Sequence, residues 1–168
     1  MVIPEPILKH NSFIIQEEEK HENFRLKLEY KISDSKNSGI NYRSGILEEL
    51  LYSFRGYQGD IHGQGRYTCQ NYEKKKRTIL VYIGKKVNTP QMINSVSKEN
   101  ILKNLKRICW PIRNIIDDFT NTAVLKSSNY ANDWHKVHFD VIGINMLHYV
   151  NENFNSLSDF LHTINRDS

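Results

Sequence analysis

Two cysteines, Cys69 and Cys109, are all that the 168 residues contain, and neither stands in a CxxC or a Cys/His ligand spacing. A reducing compartment is the simpler reading, with a disulfide between the two left open as the alternative. Long apolar runs are missing too. The longest, Ile79 to Ile83, is far short of the ~20 residues a membrane helix requires, so any membrane contact has to be peripheral. The N-terminus "MVIPEPILKHNSFIIQ" lacks a basic leading region and is broken by Pro4 and Pro6, so it does not read as a signal peptide. Nucleophile elbow, HExxH and kinase-type motifs are absent, which argues weakly against an enzyme.

What is present suffices for a folded domain. Hydrophobic residues make up 39% of the chain and aromatics 11%, with nine Tyr and seven Phe, too apolar for a disordered chain. The length suits one core that needs neither disulfide nor metal. The net charge of +4 hides an asymmetry: Lys74 to Arg113 holds eleven basic residues against Glu99 alone, or +10, and the remainder, twelve basic against eighteen acidic, carries −6. Such a field favours anionic partners, phosphate backbones or lipid headgroups, with a solvated basic surface as the plainer alternative.

Residues 1–22 read as an arm. Pro4 and Pro6 favour extended backbone, Ile3, Ile7 and Leu8 give it an apolar side, and "EEEKHE" is a solvated run. Residues 23–168 read as the core domain. Phe24, Leu26, Leu28, Tyr30 and Ile32 alternate with charged residues as in a half-buried antiparallel strand. "SGILEELLYSF" has helical spacing with Ser44 as cap; residues 55–72, rich in glycine, read as an irregular loop; Ile79 to Ile83 reads as a central strand whose flanking basic clusters emerge at opposite ends. "KENILKNLKRI", capped by Ser97 and ended by Pro111, predicts a second helix. "TAVLK" and "WHKVHFDVIGI" predict strands, and Leu157, Phe160, Leu161 and Ile164 a last helix from Ser156. The expected fold class is α+β: a single compact domain, mainly antiparallel sheet, with three packed helices and an extended N-terminal arm.

Candidate chemistry is sparse. "RGYQGDIHGQGRY" fits neither G-x-x-x-x-G-K-[ST] nor a G-x-G-x-x-G opening a helix, so it reads as a surface loop whose Tyr57, Tyr67 and Tyr72 are available to stack on bases or a partner. His135 and His138 fall on opposite faces of a strand and have no third ligand nearby in sequence. Asp117 and Asp118 would suit a metal-dependent nuclease, but no acid–base partner stands at a meaningful spacing. No catalytic residue, metal or cofactor is expected.

The order of elements, with the arm, "FRLKLEYKI", "YRSGILEELLYSF", the glycine-bearing loop, "KKKRTILVYIGKK", "WHKVHFDVIGI" and "FNSLSDFLHTI", resembles the core of rhabdovirus matrix proteins, closest in length to those of plant-infecting members. The resemblance covers most of residues 24–165. It implies a non-enzymatic structural protein that self-associates, as a helical oligomer in virions, and bridges nucleocapsid to the inner face of the viral membrane during assembly and budding. Ile3, Pro4, Pro6, Ile7 and Leu8 would dock on a neighbour's loop around Pro90, Met92 and Ile93. Lys74, Lys75, Lys76, Arg77, Lys85, Lys86, Lys103, Lys106 and Arg107 would contact anionic membrane or nucleocapsid. The implied partners are further copies of the chain, the viral nucleoprotein and ribonucleoprotein, anionic membrane and the envelope glycoprotein tail, and the implied location is the virion beneath its envelope, the host cytoplasm and host membranes. The chain has neither the lysine-rich tail nor the PPxY motif of the animal-virus members, which moves membrane binding to the folded domain. The alternative on the same cations and tyrosines is a small RNA-binding accessory protein resembling a silencing suppressor.

Overall fold

Strict alternation from Phe24 does build a strand. In the computed structural model, which describes residues 12–16, 19–48, 52–90, 114–118, 121–127, 131–151 and 153–161, β1 spans Phe24–Lys31 and pairs antiparallel with β8, Trp134–Ile142. Leu26 lies opposite Phe139 and Leu28 opposite Val137, so the apolar sets of both strands share one face. Between them in sequence come β2 (Asn37–Ile46), β3 (Phe54–His62), β4 (Asn71–Lys74), β5 (Thr78–Val81), β6 (Lys85–Pro90), β7 (Asn114–Asp118) and the helix α1 (Thr122–Ser127). After β8 follow β9 (Asn145–Val150) and β10 (Asn153–Leu161).

These strands form a six-stranded sheet in the order β1-β8-β9-β10-β6-β7 and a four-stranded sheet in the order β2-β3-β4-β5. Every neighbouring pair is antiparallel except β10 and β6, which run parallel. The core lies between the sheets. Phe139, Val137 and Val141 of β8, Met146 and Val150 of β9, Tyr42 of β2, Cys69, Leu80, Val81 and Val87 are buried there. Burying a side chain of this size stabilises the fold by roughly 1.5–3 kcal/mol. The sheets approach most closely where Phe139 lies over Gly59: a Cβ at Gly59 would stand 2.4 Å from Phe139 Cζ, so glycine is needed for space.

A polar bridge crosses the core. His148 of β9 is fully buried, and its Nδ1, 3.2 Å from the Cys69 carbonyl, has to carry the hydrogen. Its Nε2 is therefore an acceptor and takes the hydroxyl hydrogen of Tyr42, 2.9 Å away. Burial depresses the pKa of this imidazole to about 4, against the backbone hydrogen bond that favours charge. Glu73 and Arg77 are also buried and ion-paired with each other.

This β-sandwich corrects the α+β expectation. "SGILEELLYSF" is a β-hairpin connection rather than a helix: Gly45 and Ile46 pair with Arg55 and Phe54, Leu47 N–H donates to Ser53 O at 3.0 Å, and Tyr52 sits at φ 57 in the turn. The expected last helix is β10, an interior strand hydrogen-bonded on both sides, whose pairings override a helical spacing of apolar residues. "TAVLK" is helix α1, capped by Asn121, whose Oδ1 accepts from Ala123 N–H at 2.9 Å and whose Leu125 is buried. The glycine-rich "loop" 55–72 contains most of β3 and the start of β4. The helix expected near Ser97 to Pro111 lies outside the described residues. As expected from an offset of three on a strand, His135 and His138 lie on opposite faces of β8.

Candidate functional site

The alternation of β3 sorts its side chains. Gly59 abuts Phe139, and Tyr57 stacks on Tyr42 at 5.7 Å between ring centroids, so Tyr57, Gly59 and Ile61 face the core. Gln58, Asp60 and His62 consequently line the other face of the four-stranded sheet. Opposite residues share a face, which adds Asn41 from β2, across from Gln58, and Tyr72 and Lys74 from β4, across from Gln58 and Gly56. Three adjacent strands thus hold two amides, a carboxyl, a phenol and an amine side by side.

Asp60 is the centre of this group. Gln58 Nε2 donates to its Oδ1 and Gln70 Nε2 to its Oδ2, each at 2.6 Å. Gln70 is brought in by the turn after β3, where Cys69 N–H donates to Asp60 O and Asp60 N–H to Gln70 O. Asp60 is only 9% exposed, and burial pushes its carboxyl above the ordinary value, with the two amide donors and then Lys74 and His62 opposing. Burial lowers the Lys74 amine, with the Asp60 charge opposing and Lys75 adding to the drop. Burial, then Asp60, raises the Tyr72 hydroxyl. Each carboxylate oxygen retains a lone pair beyond the one its glutamine takes. Gln70 Oε1 and Asn41 Oδ1 are buried acceptors that take no hydrogen bond from any described residue. A buried carboxyl with a raised pKa is the kind of group that proton-transfer sites employ.

The N-terminal segment reaches the same face. Phe13 stands edge-on to Phe54, the first residue of β3, with ring centroids 4.5 Å apart, and Lys74 Nζ lies 5.2 Å from the Phe13 centroid. On the outer face of the other sheet Asp140 binds Arg25 at 3.0 Å and His138 at 2.8 Å, and Tyr149 stacks on His138 at 5.0 Å. Those groups are half-exposed or exposed and pair with one another.

The basic residues singled out in the sequence go to different places. Arg77 is buried beside Glu73, Lys74 belongs to the Asp60 face, Lys75 is half-buried in the turn and Lys76 is exposed, 3.8 Å from Glu73. Lys85 and Lys86 open β6 in the other sheet, and Lys85 pairs with Asp118 at 2.5 Å. Pro90 ends β6. Lys103, Lys106, Arg107, Ile3, Pro4, Pro6, Ile7, Leu8, Met92 and Ile93 lie outside the described residues. Asp117 and Asp118 are exposed on β7, and no cluster of three or more His, Cys, Asp or Glu able to hold a metal occurs among the described residues. Sequence reasoning passed over Gln58, Asp60 and Gln70. The signal was the alternation Tyr57-Gln58-Gly59-Asp60-Ile61-His62, masked by its glycines.

Fold and face together define a β-sandwich protein with a polar, carboxyl-centred surface on its smaller sheet. The particular family follows from comparison: residues 4–155 match the 3-keto-alpha-glucoside-1,2-lyase-like domain, and the chain belongs to that family. No individually curated protein matches it. This match and the sandwich overturn the resemblance to rhabdovirus matrix proteins, and with it the bridging of nucleocapsid to membrane and the RNA-binding alternative. The matrix pattern rested on helices at 44–54 and from 156, where the described residues are strand or turn. The family is named for a lyase-like domain, which conflicts only weakly with the expectation of a non-enzymatic protein.

Proposed function

We propose that the chain acts on keto-glycosides at the outer face of the four-stranded sheet, with Asp60 as general base. The family description names an elimination across C1 and C2 of an α-glucoside carrying a ketone at C3. Such a ketone acidifies the hydrogen on C2. A base removes that proton, the C2–H electron pair passes into the enolate and then forms the C1=C2 bond, and the C1–O bond breaks with its pair on the aglycone oxygen, which takes a proton from solvent. The first step needs a carboxylate with a pKa above the ordinary range and a positive group near the enolate oxygen. Asp60 and Lys74 supply these.

The observation that carries the reading is the Asp60 carboxyl, buried on an outward strand position between two amide donors beside unused acceptors. The test is turnover of methyl 3-keto-α-glucoside, followed by the ultraviolet absorption of the conjugated enone, by wild type and Asp60→Asn. The variant is expected to lose about 10²–10⁴-fold in kcat with its circular dichroism unchanged. Wild-type kcat/KM should rise with pH through an inflection above the ordinary aspartate value, since only the ionised carboxyl accepts the proton. Undiminished turnover by Asp60→Asn would remove Asp60 from the reaction. Saturable binding by wild type without enone formation would make the face a binding site alone.

A further inference from the structure

We infer that Phe13, together with Phe54, forms an aglycone subsite of this face, so that the N-terminal segment sets the preference for glycosides with a ring-bearing aglycone. The inference rests on the proposed location of the sugar site, and the aromatic pair supplies an observation of its own. Phe54, Gly56, Gln58, Asp60 and His62 follow one another along the outer row of β3. Six residues of strand separate Phe54 from Asp60, roughly 20 Å at 3.3 Å per residue. A single pyranose ring is only about a quarter as long, so a sugar held at Asp60 leaves the Phe54 end of the row open to whatever the sugar carries at C1.

Phe13 is what meets it there. Its ring is half-buried, set edge-on to Phe54 at an interplanar angle of 64°, which leaves ring surface for a third group. Lys74 stands between the two ends: its Nζ is 5.2 Å from the Phe13 centroid, and its amine senses the Asp60 charge. The row therefore runs from carboxyl and amides, suited to hydroxyls, through one amine to two aromatic rings, suited to the flat apolar face of a second sugar or an aryl group. Neither ring is supplied by the six-stranded sheet, and Phe13 reaches the site from outside the sandwich strands.

The test uses p-nitrophenyl α-glucoside and methyl α-glucoside as binding probes in calorimetric titrations, and their 3-keto forms as substrates, with wild type, Phe13→Ala and Phe13→Trp. Wild type is expected to favour the aryl glycoside, and Phe13→Ala to reduce that preference about tenfold, appearing in KM rather than kcat, while Phe13→Trp restores it. An aryl-to-methyl preference equal in wild type and Phe13→Ala overturns the subsite, as does failure of wild type to bind either probe. Discrimination lost in Phe13→Ala without turnover of the keto forms supports the subsite and counts against the elimination. Turnover that needs Asp60 with a preference indifferent to Phe13 does the reverse.

Discussion

Acidification should destabilise this protein through one imidazole. His148 is fully buried between the sheets, donates from Nδ1 to the Cys69 carbonyl and accepts from Tyr42 at Nε2, and its pKa is depressed from 6.5 to about 4. The unfolded chain therefore takes up a proton near pH 6.5 that the folded chain refuses until about pH 4. Because the folded pKa is the lower one, the unfolded state binds more protons throughout that window, and stability falls as pH falls, levelling below about 4. At 1.36 kcal/mol per unit the loss is roughly 3 kcal/mol, a large part of the ~5–15 kcal/mol typical of a domain. The assay is urea unfolding at intervals from pH 7.5 to 3.5 on wild type and His148→Gln, which keeps a neutral donor and acceptor and does not titrate. His148→Gln should be less stable at pH 7.5 through lost packing and hydrogen-bond geometry, and the gap should close by roughly 3 kcal/mol as the pH falls. Carboxylates and the other histidines affect both proteins alike and drop out of the difference. A gap that stays constant from pH 7.5 to 3.5 would refute the reasoning.

Two further substitutions test the packing between the sheets. Gly59→Ala places a methyl group 2.4 Å from Phe139 Cζ and should cost about 1–3 kcal/mol in chemical unfolding, part of which Phe139→Leu in the same chain restores; additive losses would show that the two do not share one space. Arg77→Met takes the guanidinium from the buried Glu73 carboxylate, which keeps the backbone N–H of residue 77 and the Lys76 amine 3.8 Å away, and should cost up to about 3–5 kcal/mol, whereas Arg77→Met with Glu73→Leu should be far milder. Equal losses for the single and double variants would mean that the pair contributes nothing through its charge.

The parts legible in the sequence were those whose partner face is apolar and whose own charges are exposed. In β1 the alternation Phe24-Leu26-Leu28-Tyr30 against Arg25-Lys27-Glu29-Lys31 matches the half-buried and exposed positions one for one, and β8 repeats it. Where apolar residues recur at three and four, the sequence reads as helix, yet Leu157 and Phe160 belong to an interior strand fixed by hydrogen bonds to Leu147 on one side and to the Lys85–Pro90 strand on the other. The pairing with β6, made far earlier in the sequence, leaves no local trace in the residues of β10. The site was hidden for a related reason. Gly59 reads locally as a loop residue, and its need becomes visible only with Phe139, which arrives eighty residues later. Asp60 accordingly lies in a stretch whose glycines predict loop, while Arg77, one of a run of cations in sequence, is neutralised by Glu73, a neighbour on the same hairpin.

The position of β10 gives the chain a timetable. It lies between β9 and β6, joining β1-β8-β9 to β6-β7, and it comes last of the described elements. As the protein emerges from the ribosome, β6 and β7 are made well before the strand that ties them to the rest of their sheet. Until residues 153–161 are out, the larger sheet exists as two separate pieces with open edges, exposed to pairing with other chains. The hairpins of the four-stranded sheet close locally from residues 37–81 and need no such wait. The face bearing Asp60 is thus laid down early, and the sheet behind it is locked only once β10 has been made.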